Sequence, residues 1–438
     1  MLTMAGDYVR YAPNRLLINS VDAVYDIYGH GSKVKKYKNY RVLAQQAPNL
    51  LTIADKLQHG RRRRVVSQAF SESSLRKFEP KLLTMLDRYM DTIRSSIGLS
   101  RDMSKDLSNL AFDSMTAVSF DTDFDTINNP HYRYATSALE ESNVRLSVLL
   151  QEPKFLMLNL DRWLFPASIT GRDLFVKFIR KLLKQRIQAR GTTTSGDIFS
   201  FLEQCKDPDT GKELSPMELS TETALFVVAG SDTTATTMAA TAHYLTGCSA
   251  SYRRAVKEVR STFQSMDEIR MGPKLNSCYF LRACIDEALR LSPPGGAALW
   301  REVERGGAVI DGNFIPEGTD VAVGIYSIHH CDKYYEDPFT YNPERWYRPA
   351  DGKPKHNDSG RLAYMPFSIG SRGCVGKPLA LAQVMLTFSR LLWQFDIRRA
   401  DAEPNWEELD MHPTEYTTKD HVSARKEGPI LKFQPRFK

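Results

Sequence analysis

The sequence predicts a mainly α-helical protein with a smaller β portion (α+β), organised as a single domain over residues 1–438. Three observations lead there. Apolar residues recur with helical period through most of the chain up to about residue 265. Strand signals bounded by turn dipeptides concentrate after residue 300. No repeat, low-complexity tract or obvious linker separates the two regions. With 438 residues, 42% of them apolar and 25% charged, the chain has ordinary globular composition and can bury a cofactor completely.

In chain order, Tyr8 to Pro13 reads as a short strand. Leu16 to about Tyr40 mixes strand and helix signals, and Gly29, Gly31, Lys33, Lys35, Lys36 and Lys38 mark a loop within it. Ser71 to about Ile97 is helical, with Leu75, Phe78, Leu82, Leu83, Leu86 and Tyr89 among its apolar residues. Loops are expected at Thr192–Gly196 and Asp207–Gly211. Ser215-Pro216-Met217-Glu218 is a capping box with proline at the first helical position, and it launches a helix to about Leu245. Val309-Ile310 and Asn313-Phe314-Ile315 flank Asp311-Gly312, a hairpin turn. Val321 to Ile325 reads as a buried strand. Tyr347 to Arg361 reads as a surface loop, and Val422 to Phe433 as a hairpin turning at Glu427-Gly428-Pro429.

The net charge of +7 is modest for this length and gives no reason to expect nucleic acid. Six cysteines without a CxxC pair or zinc-type spacing suit free thiols in a reducing compartment. There is no run of 18 apolar residues and no signal peptide, so nothing in this sequence reads as a transmembrane segment.

Four constellations carry chemistry. In Phe367-Ser368-Ile369-Gly370-Ser371-Arg372-Gly373-Cys374-Val375-Gly376, one cysteine sits in a glycine-rich loop before a helical stripe of Leu381, Val384, Met385, Phe388, Leu391 and Leu392. A cysteine at a helix N-terminus is expected to favour thiolate, a good iron ligand. In the helix that starts after Ser215, the apolar stripe of Leu225, Val228 and Ala229 continues to Asp232 and Thr233. An acid and a hydroxyl on an apolar face need a reason, since burying them unpaired is costly. Glu287 and Arg290 share a helix face at i, i+3, and Pro343-Glu344-Arg345-Trp346 follows downstream. Finally, His59 and Arg63 share a face within His59-Gly60-Arg61-Arg62-Arg63-Arg64, a run whose bland reading is a solvated surface.

These motifs, in this order, resemble those of the cytochrome P450 superfamily, in its fungal microsomal type, over nearly the whole chain. The resemblance implies a haem b (iron protoporphyrin IX) between the long central helix and the cysteine loop. Cys374 would be the axial ligand of the iron, with Phe367 and Gly376 completing its loop. Arg372, Arg301, His59 and Arg63 would reach the haem propionates. Ala229 and Gly230 would let haem and O₂ approach the helix, Thr233 would orient a water or the distal oxygen, and Asp232 would relay protons. Glu287, Arg290 and Arg345 would form a structural charge network. The implied reaction inserts one oxygen atom from O₂ into an apolar small molecule, with terpenoid, polyketide or aromatic compounds of fungal secondary metabolism fitting best. Electrons would come from NADPH through a separate flavoprotein reductase, toward whose acidic face the remaining arginines of the run would point.

Pocket walls are expected from Ala47 to Leu57, Val144 to Leu164, Phe226, Ala229, Pro294 to Ala298 and Val422 to Arg425. The resemblance also implies a membrane anchor and proline-rich hinge upstream of Tyr8. The chain therefore reads as N-terminally shortened, and the full-length form is expected at the cytosolic face of the endoplasmic reticulum membrane. Two other readings stay open on the sequence: a non-hydroxylating relative such as a phenol-coupling enzyme, and an inactive truncated haem-binding protein.

Overall fold

The computed structural model describes residues 6–44, 47–188, 196–207, 209–347, 358–400 and 414–437. Helices dominate, as the periodicity predicts. The capping box forms: Ser215 Oγ accepts from Glu218 N–H, and the Glu218 side chain accepts from Ser215 N–H at 2.9 Å. It starts a central helix, Pro216–Gly247, that packs along Met103–Phe120 and also meets Tyr279–Leu291 and Lys377–Gln394. The Lys377–Gln394 helix contributes Val384, Phe388, Leu391 and Leu392 to the main apolar core. A second core joins Val65, Val66 and Phe70 to Phe226, with the Phe70 and Phe226 rings edge-to-face at 5.2 Å.

A five-stranded sheet has the order β1 (Tyr8–Ala12), β2 (Arg15–Ile18), β8 (Asp320–Ala322), β5 (Arg301–Val303), β3 (Val34–Lys36). In it β2 and β8 run parallel, and the other neighbours run antiparallel. The hairpin of β6 (Ala308–Ile310) and β7 (Asn313–Ile315) turns at Asp311 and Gly312, both at positive φ, as the dipeptide predicts. A three-stranded sheet orders β4 (Arg101–Asp102), β12 (Ile430–Pro435), β9 (Phe395–Arg399), and β10 (Thr418–Lys419) pairs with β11 (Arg425–Lys426).

Four sequence expectations need correction. Lys35 and Lys36 belong to strand β3, not to a loop. The chain turns at Glu427–Pro429, but the two sides do not pair: β11 pairs back with β10, while β12 joins β9 and β4. The strand at Val321 ends at Ala322, and Ile325 already opens a short helix to His329. Within Tyr347–Arg361, residues 348–357 lie outside the described residues, and Asp358–Ala363 is helical rather than loop. The loop expected at Thr192–Gly196 falls almost wholly outside the described residues.

Candidate active site

Cys374 stands just ahead of the Lys377–Gln394 helix. Its N–H donates to Phe367 C=O at 2.8 Å, and Gly373 N–H donates to Gly370 C=O at 3.1 Å, which closes the loop on itself. Gly370 has φ +67°, and a Cβ there would lie 2.1 Å from the Tyr28 carbonyl oxygen, so only glycine fits. Cys374 is packed round by protein and still accessible, as befits a side chain lining an internal void. Burial raises its thiol pKa. The N–H groups of Gly376 and Lys377 and the charge of Arg63 lower it, but burial outweighs them. The helix N-terminus alone therefore does not deliver the thiolate that the sequence suggested.

Beside this loop lies a cluster of basic side chains, half-buried or buried. On the helix Lys56–Gln68, Arg63 Nη1 donates to Gly373 C=O at 2.6 Å. His59, one turn earlier, is buried. Its pKa is pushed down to about 3 by burial first, then by the charges of Arg372, Lys36, Arg63 and Arg301. Arg301 on β5 is buried, with its guanidinium over the Tyr28 ring at 5.1 Å. Arg372 bonds the carbonyls of Ile53 and Ala54, and burial and Arg301 push its pKa down to about 10. Lys36 on β3 is buried beside them. Burial, Arg301 and Arg372 hold its ammonium well below the usual range. Among the described residues none of Lys36, Arg63, Arg301 and Arg372 has an ion-pair partner, whereas neighbouring Lys35 pairs with Glu302 at 3.0 Å. Asp55 lies near Arg372 without forming an ion pair with it, and clustered like charges so weakly compensated are costly, so this pocket suits an anion. Sequence reasoning missed Lys36 because the lysine-rich stretch around it reads as loop. The signal was there: on a strand, Lys36 shares the buried face of Val34.

On the central helix, Leu225, Ala229 and Thr233 are partly or fully open at i, i+4 and i+8, while Ser231, Asp232 and Thr234 are buried. An open stripe on a helix packed in the interior borders a void. Thr233 Oγ1 donates to Ala229 C=O at 2.6 Å, which leaves its lone pairs free to accept. Asp232 is not alone: Lys426 Nζ lies 2.8 Å from Oδ1, and Asn143 Nδ2 donates to Oδ2 at 3.1 Å. Gly230 corrects an expectation. It faces Met103–Phe120, where a Cβ would lie 2.7 Å from Met115 Sδ, so its missing side chain serves helix packing rather than the void.

The arginine run also divides differently than expected. Arg62 is buried, pairing with Glu222 at 2.7 Å and with Glu218. Glu222 in turn accepts from Leu50 N–H at 2.8 Å, tying the segment after residue 47 to the central helix. Arg64 pairs with Asp209. Arg61 alone of the four is exposed. Glu287, Arg290 and Arg345 do come together: Arg290 meets Glu287 at 2.8 and 2.9 Å with both side chains fully buried, and Arg345 reaches Glu287 at 3.3 Å.

A cavity of about 650 Å³ lies between residues 292–298 and 415–424, with Gly296, Ala297, Ala298 and Ala424 in its wall. Three of the segments expected to wall the pocket therefore meet there, Gln151 coming from the third, while residues 47–57, Phe226 and Ala229 do not line it. Glu415 and Asp420 add carboxylates that the mainly apolar expectation did not foresee. Among the described residues no helix is long and apolar enough to cross a membrane.

A cysteine loop over a void, a buried anion pocket beside it, and a central helix with an acid–hydroxyl pair are the parts of a haem-thiolate enzyme. The comparisons agree. The cytochrome P450 family model matches residues 13–419. Cytochrome P450 monooxygenase lcsN of Purpureocillium lilacinum is 62% identical over 336 residues, 77% of this chain and 100% of the relative. Cytochrome P450 monooxygenase poxM of Penicillium oxalicum is 43% identical over 436 residues, 98% of this chain and 83% of the relative. The crystal structure of the cytochrome P450DA haem domain shares the fold, with TM-score 0.76 at 18% identity, over 98% of this chain and 90% of that one. The chain belongs to the cytochrome P450 family. It is a haem b-binding oxidoreductase of the monooxygenase type, which works with O₂ and a redox partner.

Proposed function

We propose that Cys374 is the axial ligand of the haem iron and that His59, Arg63, Arg301 and Arg372, joined by Lys36, receive the propionates. The observation that carries this is the cluster of basic side chains beside the Cys374 loop, in which Lys36, Arg63, Arg301 and Arg372 form no ion pair among the described residues. A cation bound at sulfur would offset the burial that raises the Cys374 thiol. When bound, a thiolate-ligated haem supplies O₂ activation and transfer of one oxygen atom. The chain's own residues then hold and place protons. Thr233 accepts a hydrogen bond from a water in the void, and Asp232 passes protons toward it.

The substrate class in this reading is an apolar small molecule of fungal secondary metabolism: a terpenoid, polyketide or aromatic compound. The fungal sources of the relatives and the wall of Gly296, Ala297 and Ala298 support it. NADPH supplies electrons through a separate flavoprotein reductase. A membrane surface fits the exposed apolar cluster of Met157, Leu158, Trp163 and Leu164, of which Leu158 is 87% and Trp163 83% exposed. This suits residence at the cytosolic face of the endoplasmic reticulum membrane.

The test is the reduced, CO-bound absorption spectrum. The parent should show the red-shifted Soret band of a thiolate-ligated haem, and Cys374→Ala should lose it. An unchanged band in that variant refutes the ligand assignment.

A further inference from the structure

Asp232 is clamped by a residue that no sequence motif marks. Lys426, on strand β11, has a side chain with 0% exposure. Its Nζ stands 2.8 Å from Asp232 Oδ1 and 3.3 Å from Glu140 Oε1. Asn143 holds the other Asp232 oxygen at 3.1 Å. The hairpin that carries Lys426 is itself pinned: Thr236 Oγ1 donates to Ala424 C=O at 3.2 Å, and Ala424 N–H donates to Pro294 C=O at 2.8 Å. The titratable groups facing Asp232 are therefore Lys426 from β11, Glu140 from the helix Tyr134–Gln151, and His421 from the hairpin turn.

A lysine this deeply buried persists only with counter-charge. Burial lowers its pKa, and Asp232 and Glu140 more than restore it, so the ammonium keeps its proton. The Glu140 side chain, 29% exposed, is the outer end of the cluster, and Asp232 is the inner end, next to Thr233. With both oxygens engaged, the Asp232 carboxyl group is held in one orientation. Without Lys426 it would lose its ion-pair partner while buried, which is costly.

We propose that Lys426 is the positioning residue for Asp232, holding it as an oriented carboxylate between the surface-facing Glu140 and the Thr233 hydroxyl. This rests on the reading of Asp232 as a proton carrier. Lys426 also links that carrier to the cavity, since Thr418, Asp420 and Ala424 of the same hairpin line it.

Infrared difference spectra and solvent isotope effects test this without a known substrate. The subtraction of Lys426→Met/Asp232→Asn from Lys426→Met at neutral pH should show the C=O stretch of a protonated Asp232. The subtraction of Asp232→Asn from the parent should show a carboxylate instead, as should Lys426→Arg against its own Asp232→Asn double variant. With reductase and NADPH, the solvent deuterium isotope effect on NADPH consumption should at least double in Lys426→Met and return toward the parent in Lys426→Arg. The double variant should be no further displaced than Asp232→Asn alone. A protonated Asp232 already in the parent, or a parental isotope effect in Lys426→Met, overturns the proposal. A parental isotope effect in Asp232→Asn overturns the proton-carrier reading instead, and the infrared result still reports on the ion pair. If Lys426→Met yields no holoprotein, Lys426→Gln, which keeps a hydrogen-bond donor but removes the charge, carries the test. It should raise the isotope effect above the parent, and a parental value there overturns the proposal.

Discussion

Glu287 accepts five hydrogen bonds: two from Arg290, one from Arg345 Nε at 3.3 Å, one from Trp346 Nε1 at 2.7 Å and one from Asn342 N–H at 3.0 Å. Arg290 spends its remaining N–H groups on the carbonyls of His329, Pro338 and Thr340. One residue thus fixes where the segment 338–346 meets the helix Tyr279–Leu291. Removing either partner strands a buried charge, so Glu287→Ala or Arg290→Ala should lose about 3–5 kcal/mol and fail to accumulate as holoprotein. Urea unfolding and the haem content of purified variants check this, and variants as stable as the parent would show that the pair is dispensable. The i, i+3 spacing made Glu287 and Arg290 legible in the sequence. Asn342 was not, and Trp346 stood in the Pro343–Trp346 motif without a role, because both reach Glu287 across more than fifty residues. Lys36 and Lys426 escaped for the same reason: a lysine in a polar stretch reads as solvated until the fold shows what surrounds it.

At the scale of elements, local chemistry was legible and pairing partners were not. The capping box and the Asp311-Gly312 turn each fix their own geometry within a few residues, and both form. Gly428-Pro429 fixes a turn as well, but a turn does not choose the strands on either side, and here they join different sheets. The helix Ile325–His329 was hidden behind a β-like run, and it carries a buried histidine. Met365 N–H donates to His329 Nε2 at 3.0 Å, so that nitrogen is unprotonated, and Nδ1–H faces Arg290 C=O at 3.2 Å. Burial, helped by Arg290 and His330, pushes the His329 pKa down to about 3 from 6.5. The folded state therefore binds fewer protons than the unfolded state between those values, and stability falls as pH drops from 6.5 toward 3. Well below pH 6.5 this one group contributes a slope of about 1.4 kcal/mol per pH unit. His329→Gln should lower overall stability yet flatten the acid limb by that amount, measured as urea midpoints between pH 6.5 and 4. Asp113 and Asp320, both pushed up to about 6, act in the opposite sense but equally in both proteins, so they cancel in the comparison. An equal slope in the variant would mean that His329 titrates normally.

For the whole molecule, the net charge of +7 matters through where the free cations lie. The sequence offered Arg61, Arg62 and Arg64, beside the haem-directed Arg63, as a docking patch for an acidic reductase. Folding commits two of these three to partners, Arg62 to Glu222 and Arg64 to Asp209, while Arg63 donates to Gly373 C=O. Exposed Arg61 and exposed Lys377, which follows the cysteine loop, remain. Attraction between these and an acidic face acts on the encounter rate and weakens as salt screens it. The Arg61→Glu/Lys377→Glu protein should therefore accept electrons from the reductase several-fold more slowly at low ionic strength. The deficit should shrink toward high salt, where both proteins converge. Reduction by dithionite, which needs no docking, should be unaffected, and the CO-bound protein should keep its red-shifted Soret band. Stopped-flow reduction across a salt series separates the outcomes. A deficit that persists at high salt would indicate damage to the cysteine loop through Lys377. Parental rates at every salt concentration would mean that the reductase approaches by another face, and that the basic run serves only to build the haem pocket and anchor its helix.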